Sequence, residues 1–433
     1  MAIDASGAAA PNSSGITVII VGLGPTGLAA AIECHRRGHK VICFERNPKS
    51  YRLGDLINVT GNAARVLQGW GNGSVINDLQ AFQCNLDTLE VYDETGDLKL
   101  SAPYNANQAK DNYMLRRSRL LDIFLQHLKN LDVDIHLGTE VTDYWETESS
   151  AGVTVGGKRI AADCVVVADG VHSKGRPQVS AEPFDLPSTD GTAFRAFFHA
   201  SEIAQDPEAS WILQDAGEGD CFKTFYGKGL VMMLGTAENH EYIFWSCGSK
   251  ENVLAQSSAV AQVLDLIGDW PVSKRLAPLI SKTPSDNCLD QTLFTRSPLN
   301  KWVSRKGRMI VLGDAAHPFL PHAGQGANQG IEDAAVLALC LQIAGKDDVP
   351  LALRVTEKLR YQRVAAIQKR GVEARDQSLS VDWENGGFTK KLTLYPAWLH
   401  DQDCIKQVYE EFDKAVAAVT KGHECTFGGI PVD

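Results

Sequence analysis

Dense runs of lysine and arginine are missing from this sequence, and its 433 residues carry a formal net charge of −11 at pH 7. That balance argues against nucleic acid as a partner. No uninterrupted apolar stretch reaches the roughly 18 residues of a membrane-spanning helix, so no membrane partner is predicted. The ten cysteines include no C-x-x-C pair. Their scatter argues against a metal site and favours a reduced, cytoplasmic setting over a disulfide framework.

The chain does have enough apolar residues, 44% of the total, for a large core divided over two or three domains. Residues 1–15 lack the apolar segment of a signal peptide and are predicted to form a flexible tail. Apolar stretches at 17–21 and 41–44 flank a helix-like segment, as in a βαβ unit. Between roughly 180 and 295, aromatic and β-branched residues predict an antiparallel sheet inserted into the first domain. Helices are predicted again after Leu351.

A glycine-rich turn follows the first strand-like stretch and reads Gly22-Leu23-Gly24-Pro25-Thr26-Gly27, which matches G-x-G-x-x-G. In such a turn the first glycine permits the tight bend, the second lets the backbone approach a pyrophosphate, and the third lets the helix pack on the strand. Glu45 ends the next strand, where a carboxylate can bind an adenosine ribose. The pattern predicts a dinucleotide site for NAD or FAD rather than NADP, with a tight packing turn as the alternative.

A second informative run extends from Gly313 to Ala334 and reads GDAAHPFLPHAGQGANQGIEDA. It places Asp314 at the end of an apolar strand, Pro321 in a rigid loop, and Gly324-Gln325-Gly326-Ala327 at the start of a helix. Bare backbone amides at a helix N-terminus attract negative charge. This end of the helix therefore suits a cofactor that becomes anionic in use, such as a reduced flavin.

Asp169 and Arg117 complete the pattern. Asp169 and Gly170 close another buried strand, and Arg117 stands just before a helix. Alone, each has an ordinary explanation: Asp169 as part of a strand-end turn, Arg117 as a solvated charge, and Asp314 as a helix cap. Their occurrence together and in this order carries the argument.

Together these segments resemble the single-component (group A) FAD-dependent aromatic monooxygenases, the p-hydroxybenzoate and salicylate hydroxylase-like enzymes. The resemblance implies an α/β fold, with a Rossmann-type FAD-binding domain, an inserted antiparallel-sheet substrate domain and C-terminal helices. We expect the following segments: the FAD-binding domain at 16–75, 108–178 and 296–350, the substrate domain at 76–107 and 179–295, and a C-terminal helical region at 351–433.

The resemblance also implies a role for each residue of the pattern. The implied cofactor-binding residues are Gly22, Gly24 and Gly27 at the FAD pyrophosphate, Glu45 at the adenosine ribose, Arg117 near the ribityl phosphate, Asp169 at the pyrophosphate and the transient nicotinamide, Asp314 at the ribityl chain, and Pro321, Gly324, Gln325, Gly326 and Ala327 around the flavin ring. NADPH or NADH would reduce the flavin without a second Rossmann motif. O2 would then form a flavin C4a-hydroperoxide that oxygenates a small, electron-rich aromatic molecule.

Shorter motifs are similar to the fungal branch that acts in alkaloid biosynthesis. They are Leu53-Gly54-Asp55-Leu56-Ile57, Asn62-Ala63, Trp70-Gly71, Phe194-Arg195-Ala196-Phe197-Phe198-His199 and Trp398-Leu399-His400-Asp401. Members of that branch oxidise the 2,3-bond of an indole to an epoxide or hydroxyindole, which can rearrange. This narrower resemblance implies an indole alkaloid as substrate.

Arg195 is the candidate catalytic residue, because it is a charge on an otherwise apolar strand from Ala193 to Ala200. A guanidinium stays protonated and acts as a hydrogen-bond donor rather than a base. Strand alternation points Arg195 to the same side as Ala193 and Phe197, towards a cavity; a strand-edge arginine facing solvent is the alternative.

Two positions depart from the family pattern. His322 stands where relatives often have tyrosine, and Gly330 replaces a commoner alanine, which weakens the helix. Candidate aromatic residues of the substrate pocket, each of which could equally belong to the core, are Phe225, Tyr226, Phe244 and Trp245.

Three other functions stay open at this point: a phenol or salicylate hydroxylase, a non-catalytic FAD-binding protein and a nicotinamide-only dehydrogenase. A flavin-dependent halogenase is disfavoured because the W-x-W-x-I-P signature is absent. The oligomeric state is not predicted.

Overall fold

The computed structural model describes residues 13–49, 56–104, 111–180, 188–250, 257–295, 299–387 and 396–431. Leu53, Gly54 and Asp55 of the first alkaloid-branch motif lie outside these residues. The strands are β1 (Thr17–Val21), β2 (Lys40–Glu45), β3 (Leu56–Val59), β4 (Leu86–Asp93), β5 (Leu98–Pro103), β6 (Tyr113–Arg116), β7 (Asp134–Leu137), β8 (Val141–Glu146), β9 (Ala151–Val155), β10 (Lys158–Ala162), β11 (Cys164–Val167), β12 (Ser188–His199), β13 (Asp220–Gly227), β14 (Leu230–Ala237), β15 (Tyr242–Ser249), β16 (Cys288–Thr295) and β17 (Met309–Val311).

The helices lie mostly in the first and last thirds of the chain. They are α1 (Pro25–Arg36), α2 (Gly61–Leu67), α3 (Ser74–Phe82), α4 (Arg117–Lys129), α5 (Arg176–Ser180), α6 (Trp211–Asp215), α7 (Ala259–Leu266), α8 (Ser273–Ser281), α9 (Gly326–Ala344), α10 (Val349–Leu379), α11 (Ala397–His400) and α12 (Cys404–Lys421). In the part of the chain that is described, none of them is both long and apolar enough to cross a membrane.

A five-stranded parallel sheet, in the order β17-β11-β1-β2-β7, forms the centre of one half of the molecule, which is named the cofactor half after the domain predicted for it. In register, Val21 at the end of β1 lies opposite Phe44 of β2 and Val167 of β11. The apolar runs of β1 and β11 are buried, as expected for parallel strands covered on both faces. The carboxyl ends of β1, β2 and β11 therefore meet at one edge, where open α/β sheets bind ligands.

A seven-stranded sheet, in the order β16-β12-β15-β14-β13-β4-β5, forms the centre of the other half, which is named the substrate half after the domain predicted for it. Its neighbouring strands are antiparallel, as predicted, except that β4 and β13 are parallel. A hairpin around Gly96 supplies β4 and β5. Gly229, at a φ of 75°, turns the chain between β13 and β14.

Two long helices connect the halves. α9 is buried along most of its length and contacts α1 on one side and α10 on the other. α10 is one helix of 31 residues, and at 1.5 Å per residue it is about 46 Å long. Its first half packs on α9 and its end reaches β13 and β14. A small cluster of Ala193, Leu293 and Leu320 also joins the loop after β17 to the second sheet. The predicted domain boundaries stay a prediction.

Candidate active site

The turn between β1 and α1 requires each of its three glycines for a different reason. Gly22 has a φ of 91°, and a Cβ there would lie 2.5 Å from the carbonyl oxygen of Ala168. A Cβ on Gly27 would lie 1.8 Å from the carbonyl oxygen of Gly22, so α1 packs directly on the turn. A Cβ on Gly24 would meet no atom within 4 Å, which leaves open space above the N-terminus of α1. This is the arrangement that a pyrophosphate needs.

Asp169 lies beside this turn, at the end of β11. Its Oδ2 accepts hydrogen bonds from the backbone amides of Lys174 (2.9 Å) and Gly175 (3.4 Å). Its Oδ1 is buried and finds no hydrogen-bond partner among the residues described. A buried carboxylate oxygen without a partner is costly, so Asp169 is suited to accept a hydrogen bond from a bound molecule.

Glu45 is positioned by β2 and holds the turn in shape. Its Oε2 accepts a hydrogen bond from the Leu23 amide and its Oε1 accepts one from the Asn47 amide, both at 2.8 Å. The carboxylate also lines a cavity of about 180 Å³, which it shares with Gly22 and Gly24. Each carboxylate oxygen can accept more than one hydrogen bond, so Glu45 keeps capacity for a ribose hydroxyl.

A larger cavity of about 820 Å³ lies between the two halves. It brings together four residues that the sequence predicted for the site from distant segments: Arg117, Asp169, Arg195 and Asp314. The two cavities adjoin, since both are lined by Arg46, Asp169, Gly170 and His172. A continuous groove thus leads from the glycine turn to the face of the second sheet.

The Asp314 side chain is exposed and lines the larger cavity. The protein packed around the cavity partly desolvates the carboxylate and raises its pKa, and the nearby His317 and Arg117 offset part of the rise. A Cβ at Gly326 would lie 3.6 Å from Asp314 Oδ1, which places the carboxylate at the N-terminus of α9.

Thr26 of α1 fits closely between Gly313 and Gly330. A Cβ at Gly313, whose φ is 59°, would lie 2.3 Å from Thr26 Oγ1, and a Cβ at Gly330 would lie 2.0 Å from the same atom. The departure at Gly330 is thereby explained: an alanine there would collide with Thr26. Close packing of α1 on α9 holds the two predicted cofactor segments together.

The remaining predicted positions surround the start of α9. Gln325 is buried, and its side chain points into the protein, where its Nε2 donates to Thr60 Oγ1 (3.0 Å) and its Oε1 accepts from Asn62 Nδ2 (3.3 Å). Only its backbone can face a cofactor. The positions that do not line the larger cavity are Pro321, Gly324, Gln325, Gly326 and Ala327. Their proposed contact with the flavin ring stays a prediction.

His322 lies in the Pro-rich loop but does not line either cavity. Burial lowers its pKa to about 4, and Asp376 of α10 opposes the shift. α10 packs against this loop closely, because a Cβ at Gly371 would lie 2.9 Å from the Cβ of Ala323. The loop is therefore supported from behind by α10.

A buried ionic cluster on α9 was not recognised from the sequence. Glu332 and Asp333 are fully buried, and Arg360 bonds to both, through Nη1 to Glu332 Oε2 (2.5 Å) and through Nε to Asp333 Oδ1 (2.8 Å). Arg363 Nη2 reaches Glu332 Oε1 at 2.9 Å. Burial alone would raise the pKa of Glu332, but Arg363 and Arg360 lower it to about 2.

The buried ionic cluster links the segment that begins at Gly313 to the C-terminal segment. Asp333 Oδ2 accepts hydrogen bonds from His317 Nε2 (2.6 Å) and from the Gly313 amide (3.3 Å). Arg363 Nη1 donates to the carbonyl oxygens of Gly429 (2.6 Å) and Trp398 (3.0 Å). Two acids inside an otherwise apolar helix were the available signal, because buried charges need partners.

Arg195 lies on β12, half-buried, and its side chain lines the larger cavity. The aromatic residues that line the cavity with it are Phe197, Phe198 and Tyr242. The candidate pocket aromatics belong elsewhere: Phe225 and Trp245 lie in the core of the second half, and Phe244 lies in a smaller core cluster. Tyr226 does not line the cavity either. The prediction that Arg195 acts in catalysis stays a prediction.

These features fit a dinucleotide flavin. The open space above Gly24, the partnerless Oδ1 of Asp169 and the carboxylate of Asp314 lie along one groove that ends at an aromatic surface. Hydrogen-bond acceptors along the groove suit the hydroxyls of a ribose and a ribityl chain, and the helix N-termini suit phosphate and a flavin ring.

Comparison with known proteins agrees with this description. The FAD binding domain family matches residues 15–353. FAD-dependent monooxygenase notI of Aspergillus sp. (strain MF297-2) is 85% identical over 432 residues, covering 100% of both chains. Notoamide E oxidase notB′ of Aspergillus versicolor is 44% identical over 99% of this chain and 96% of its own length. Asperlicin C monooxygenase of Petromyces alliaceus is 40% identical over 98% of this chain and 94% of its own length.

Solved structures are also similar over nearly the whole chain. The crystal structure of CtdE in complex with FAD and substrate 4 superposes with a TM-score of 0.89 at 39% identity, covering 94% of this chain and 100% of that one. The chain belongs to the FAD binding domain family. Within it, the protein is an FAD-dependent monooxygenase of the fungal indole alkaloid branch. It acts on a small molecule with O2 and a reductant, and the alternative of a non-catalytic FAD-binding protein is set aside.

Proposed function

We propose that this monooxygenase uses NADPH or NADH and O2 to oxygenate the indole 2,3-bond of an alkaloid. The observation that carries the proposal is the 820 Å³ cavity, which has arginines at the cofactor side and aromatic rings on the sheet side. A cavity of roughly 150 Å³ accommodates one benzene ring. On that scale three fused flavin rings fill roughly 450 Å³. The cavity volume that the flavin rings leave free is large enough for more than one ring of substrate.

The names of two relatives support the same substrate class. Notoamide E oxidase and asperlicin C monooxygenase share 44% and 40% identity with this chain over nearly its whole length. An indole is nucleophilic at C3 and needs no base to activate it. A phenol usually needs help towards phenolate.

FAD would supply the redox chemistry, taking hydride from the reductant and activating O2. Gly22, Gly24 and the N-terminus of α1 would hold its pyrophosphate, and Glu45 would bind its adenosine ribose. Asp314 and Arg117 would position the ribityl region. The amides at the start of α9 would favour negative charge at the ring.

The protein's own residues would then control the substrate. Phe197, Phe198 and Tyr242 make one wall of the cavity apolar, which excludes water from the reacting atoms. Arg195 projects into the same space and can donate hydrogen bonds to oxygen on the substrate as charge develops there. It orients and polarises, because a guanidinium does not act as a base.

The decisive experiment for the substrate class is a screen of purified holoenzyme in which consumption of the reductant and product mass are measured together. Notoamide E and other indoles are expected to stimulate reductant consumption and to gain one oxygen atom. Salicylate and simple phenols are expected to do neither. Oxygenated salicylate, with no product from any indole, would replace this proposal by the phenol-hydroxylase alternative. NADPH and NADH are compared in the same assay.

Arg195→Leu should keep full FAD content and lose turnover or coupling, because the substitution removes the hydrogen-bond donor without touching the glycine turn. The loss should be roughly 10²-fold or more if Arg195 stabilises charge in the transition state. Arg195→Lys is the matched variant: it retains the charge but not the planar fork, so it should recover part of the rate. Unchanged product formation in Arg195→Leu would remove Arg195 from the mechanism.

A further inference from the structure

Three consecutive residues in the turn between β14 and β15 adopt left-handed backbone conformations without being glycine. Their φ angles are 54° at Glu238, 55° at Asn239 and 65° at His240. Asparagine and histidine tolerate this region better than most residues, but glutamate adopts it at a cost. Such strain persists only where the surroundings impose it, and it concentrates at functional sites.

The carboxylate of Asp220 imposes the conformation. It is buried, and it accepts hydrogen bonds from the backbone amides of Asn239 (3.2 Å) and His240 (3.1 Å) and from Thr236 Oγ1 (3.0 Å). His240 is fixed in addition by a contact between its Nε2 and the carbonyl oxygen of Gly219. The turn is thus held from within the second sheet.

The consequence is the position of the Glu238 side chain. Its carboxylate reaches the start of α4, where Arg116 Nη2 lies 3.1 Å from Oε1 and Arg119 Nη2 lies 3.1 Å from Oε2. The Glu238 side chain is only 9% exposed, so solvent does not screen these pairs fully. One strained residue of the substrate half thereby holds two arginines of the cofactor half.

Of these two arginines, Arg116 lines the larger cavity. Its guanidinium carbon lies 4.4 Å from the centre of the Tyr242 ring and 5.4 Å from that of Phe197, and both rings line the same cavity. Its Nε is buried and has no hydrogen-bond partner in the described part of the chain. A donor left without a partner beside aromatic rings suits a flat molecule that carries a hydrogen-bond acceptor.

Arg116 and Arg117 lie on different sides of the cavity. Arg117 influences the carboxylate of Asp314 on the cofactor side. Arg116, its neighbour in the chain, lies on the rings of the second sheet. The start of α4 therefore serves both sides at once.

We propose that Glu238 is a positioning residue that orients Arg116 to bind the substrate, a flat aromatic molecule with a carbonyl or similar acceptor. The proposal deepens the proposed function and rests on it for the class of substrate. Arg116 touches the substrate, and Glu238 acts through Arg116. The strain in the turn is the means by which the carboxylate reaches across from one half to the other.

The test uses FAD-loaded enzyme and notoamide E as the probe, with binding followed through the change in flavin absorbance. Glu238→Gln keeps the shape of the side chain but removes its charge. Its dissociation constant for the probe should rise roughly tenfold or more, and KM should rise with a much smaller change in kcat. FAD content should not change.

Arg119→Gln is the matched control. Arg119 shares the Glu238 carboxylate but lies over Phe82 and does not line the cavity. Glu238→Gln removes both ion pairs of Glu238 and Arg119→Gln removes one, so Arg119→Gln should lose less thermal stability. Only Glu238→Gln should lose probe affinity. Arg116→Lys should lose as much probe affinity as Glu238→Gln. The double variant should bind the probe only slightly more weakly than either single variant, since both changes remove the same contact.

The possible results separate this inference from the proposed function. Unchanged probe affinity in Glu238→Gln, or an equal loss in Arg119→Gln, would overturn it. So would wild-type holoenzyme that binds neither notoamide E nor the other indoles of the screen. Binding that depends on Glu238 without any oxygenated product would support this inference and contradict the proposed function.

Discussion

The two halves of the molecule build their parts of the site in different ways. The cofactor half relies on backbone: a Cβ on Gly22 or Gly27 would collide with a backbone carbonyl, and Gly24 leaves open space beside the turn. The substrate half relies on side chains from separate strands, such as Arg195 on β12 and Tyr242 on β15, together with Arg116 from across the boundary. Backbone constraints act within a short segment, whereas side-chain surfaces depend on how distant strands pair.

The largest effect is expected for Gly27→Ala, which tests whether the glycine turn tolerates a side chain. The new Cβ would lie 1.8 Å from the carbonyl oxygen of Gly22, which is backbone and cannot move aside. The loss of stability should exceed the about 1–3 kcal/mol of ordinary overpacking, and little folded, flavin-containing protein should be recovered. Thermal melting and the ratio of flavin to protein measure both effects. Gly24→Ala is the folding control, since its Cβ meets no protein atom.

The next effect concerns the buried ionic cluster that joins α9 and the segment at Gly313 to the C-terminal region. Glu332→Gln leaves Arg360 and Arg363 buried without full compensation, so the free energy of unfolding should fall by about 3–5 kcal/mol. Glu410, which is exposed and paired with Lys406, is the control; Glu410→Gln should change stability by less than about 0.5 kcal/mol. Equal stability of both variants would show that the buried cluster contributes nothing.

The same cluster predicts a dependence on pH. The pKa of Glu332 is about 2 in the folded protein and roughly 4.3 in an unfolded chain. Its contribution to stability is therefore complete above pH roughly 4.3 and is lost as the pH falls towards 2. Wild-type protein should lose stability across this window, and Glu332→Gln should lose less over the same range. Parallel pH profiles would contradict the assignment.

The smallest effect tests the contact between α1 and α9. Gly330→Ala would bring a Cβ to 2.0 Å from Thr26 Oγ1, and it should cost about 1–3 kcal/mol despite the better helix propensity of alanine. Combining it with Thr26→Ala removes the colliding oxygen and should restore most of the stability. Melting temperatures of the two single variants and the pair decide the point. Two independent, additive losses would count against a direct contact.

The sequence predicted most of the fold because its signals are local. The buried strands β1 and β11, the glycine turn and the start of α9 each follow from fewer than twenty consecutive residues. Aromatic and β-branched residues also predicted the second sheet. The parallel pairing of β4 with β13 could not be read in this way, because it depends on two segments more than 120 residues apart.

In the candidate site, too, residues with a local sequence signal were predictable and long-range pairings were not. Arg117, Asp169, Arg195 and Asp314 were each singled out from their local context, and all four line one cavity. The part played by Glu332 with Arg360 was missed, since the pairing joins two helices. Glu238 was missed as well, because neither its left-handed backbone nor its reach to Arg116 has a sequence signature.

The central claim is that the segments near Gly24 and Asp314 bind the same FAD molecule, and FAD titration of apoprotein variants tests it most directly. Gly24→Ala and Asp314→Ala should each fold as well as wild type, since the first adds a Cβ to open space and the second removes a poorly solvated carboxylate. Each should bind FAD more weakly, by about 1–3 kcal/mol for Asp314→Ala. Wild-type affinity for FAD in either variant would contradict the account.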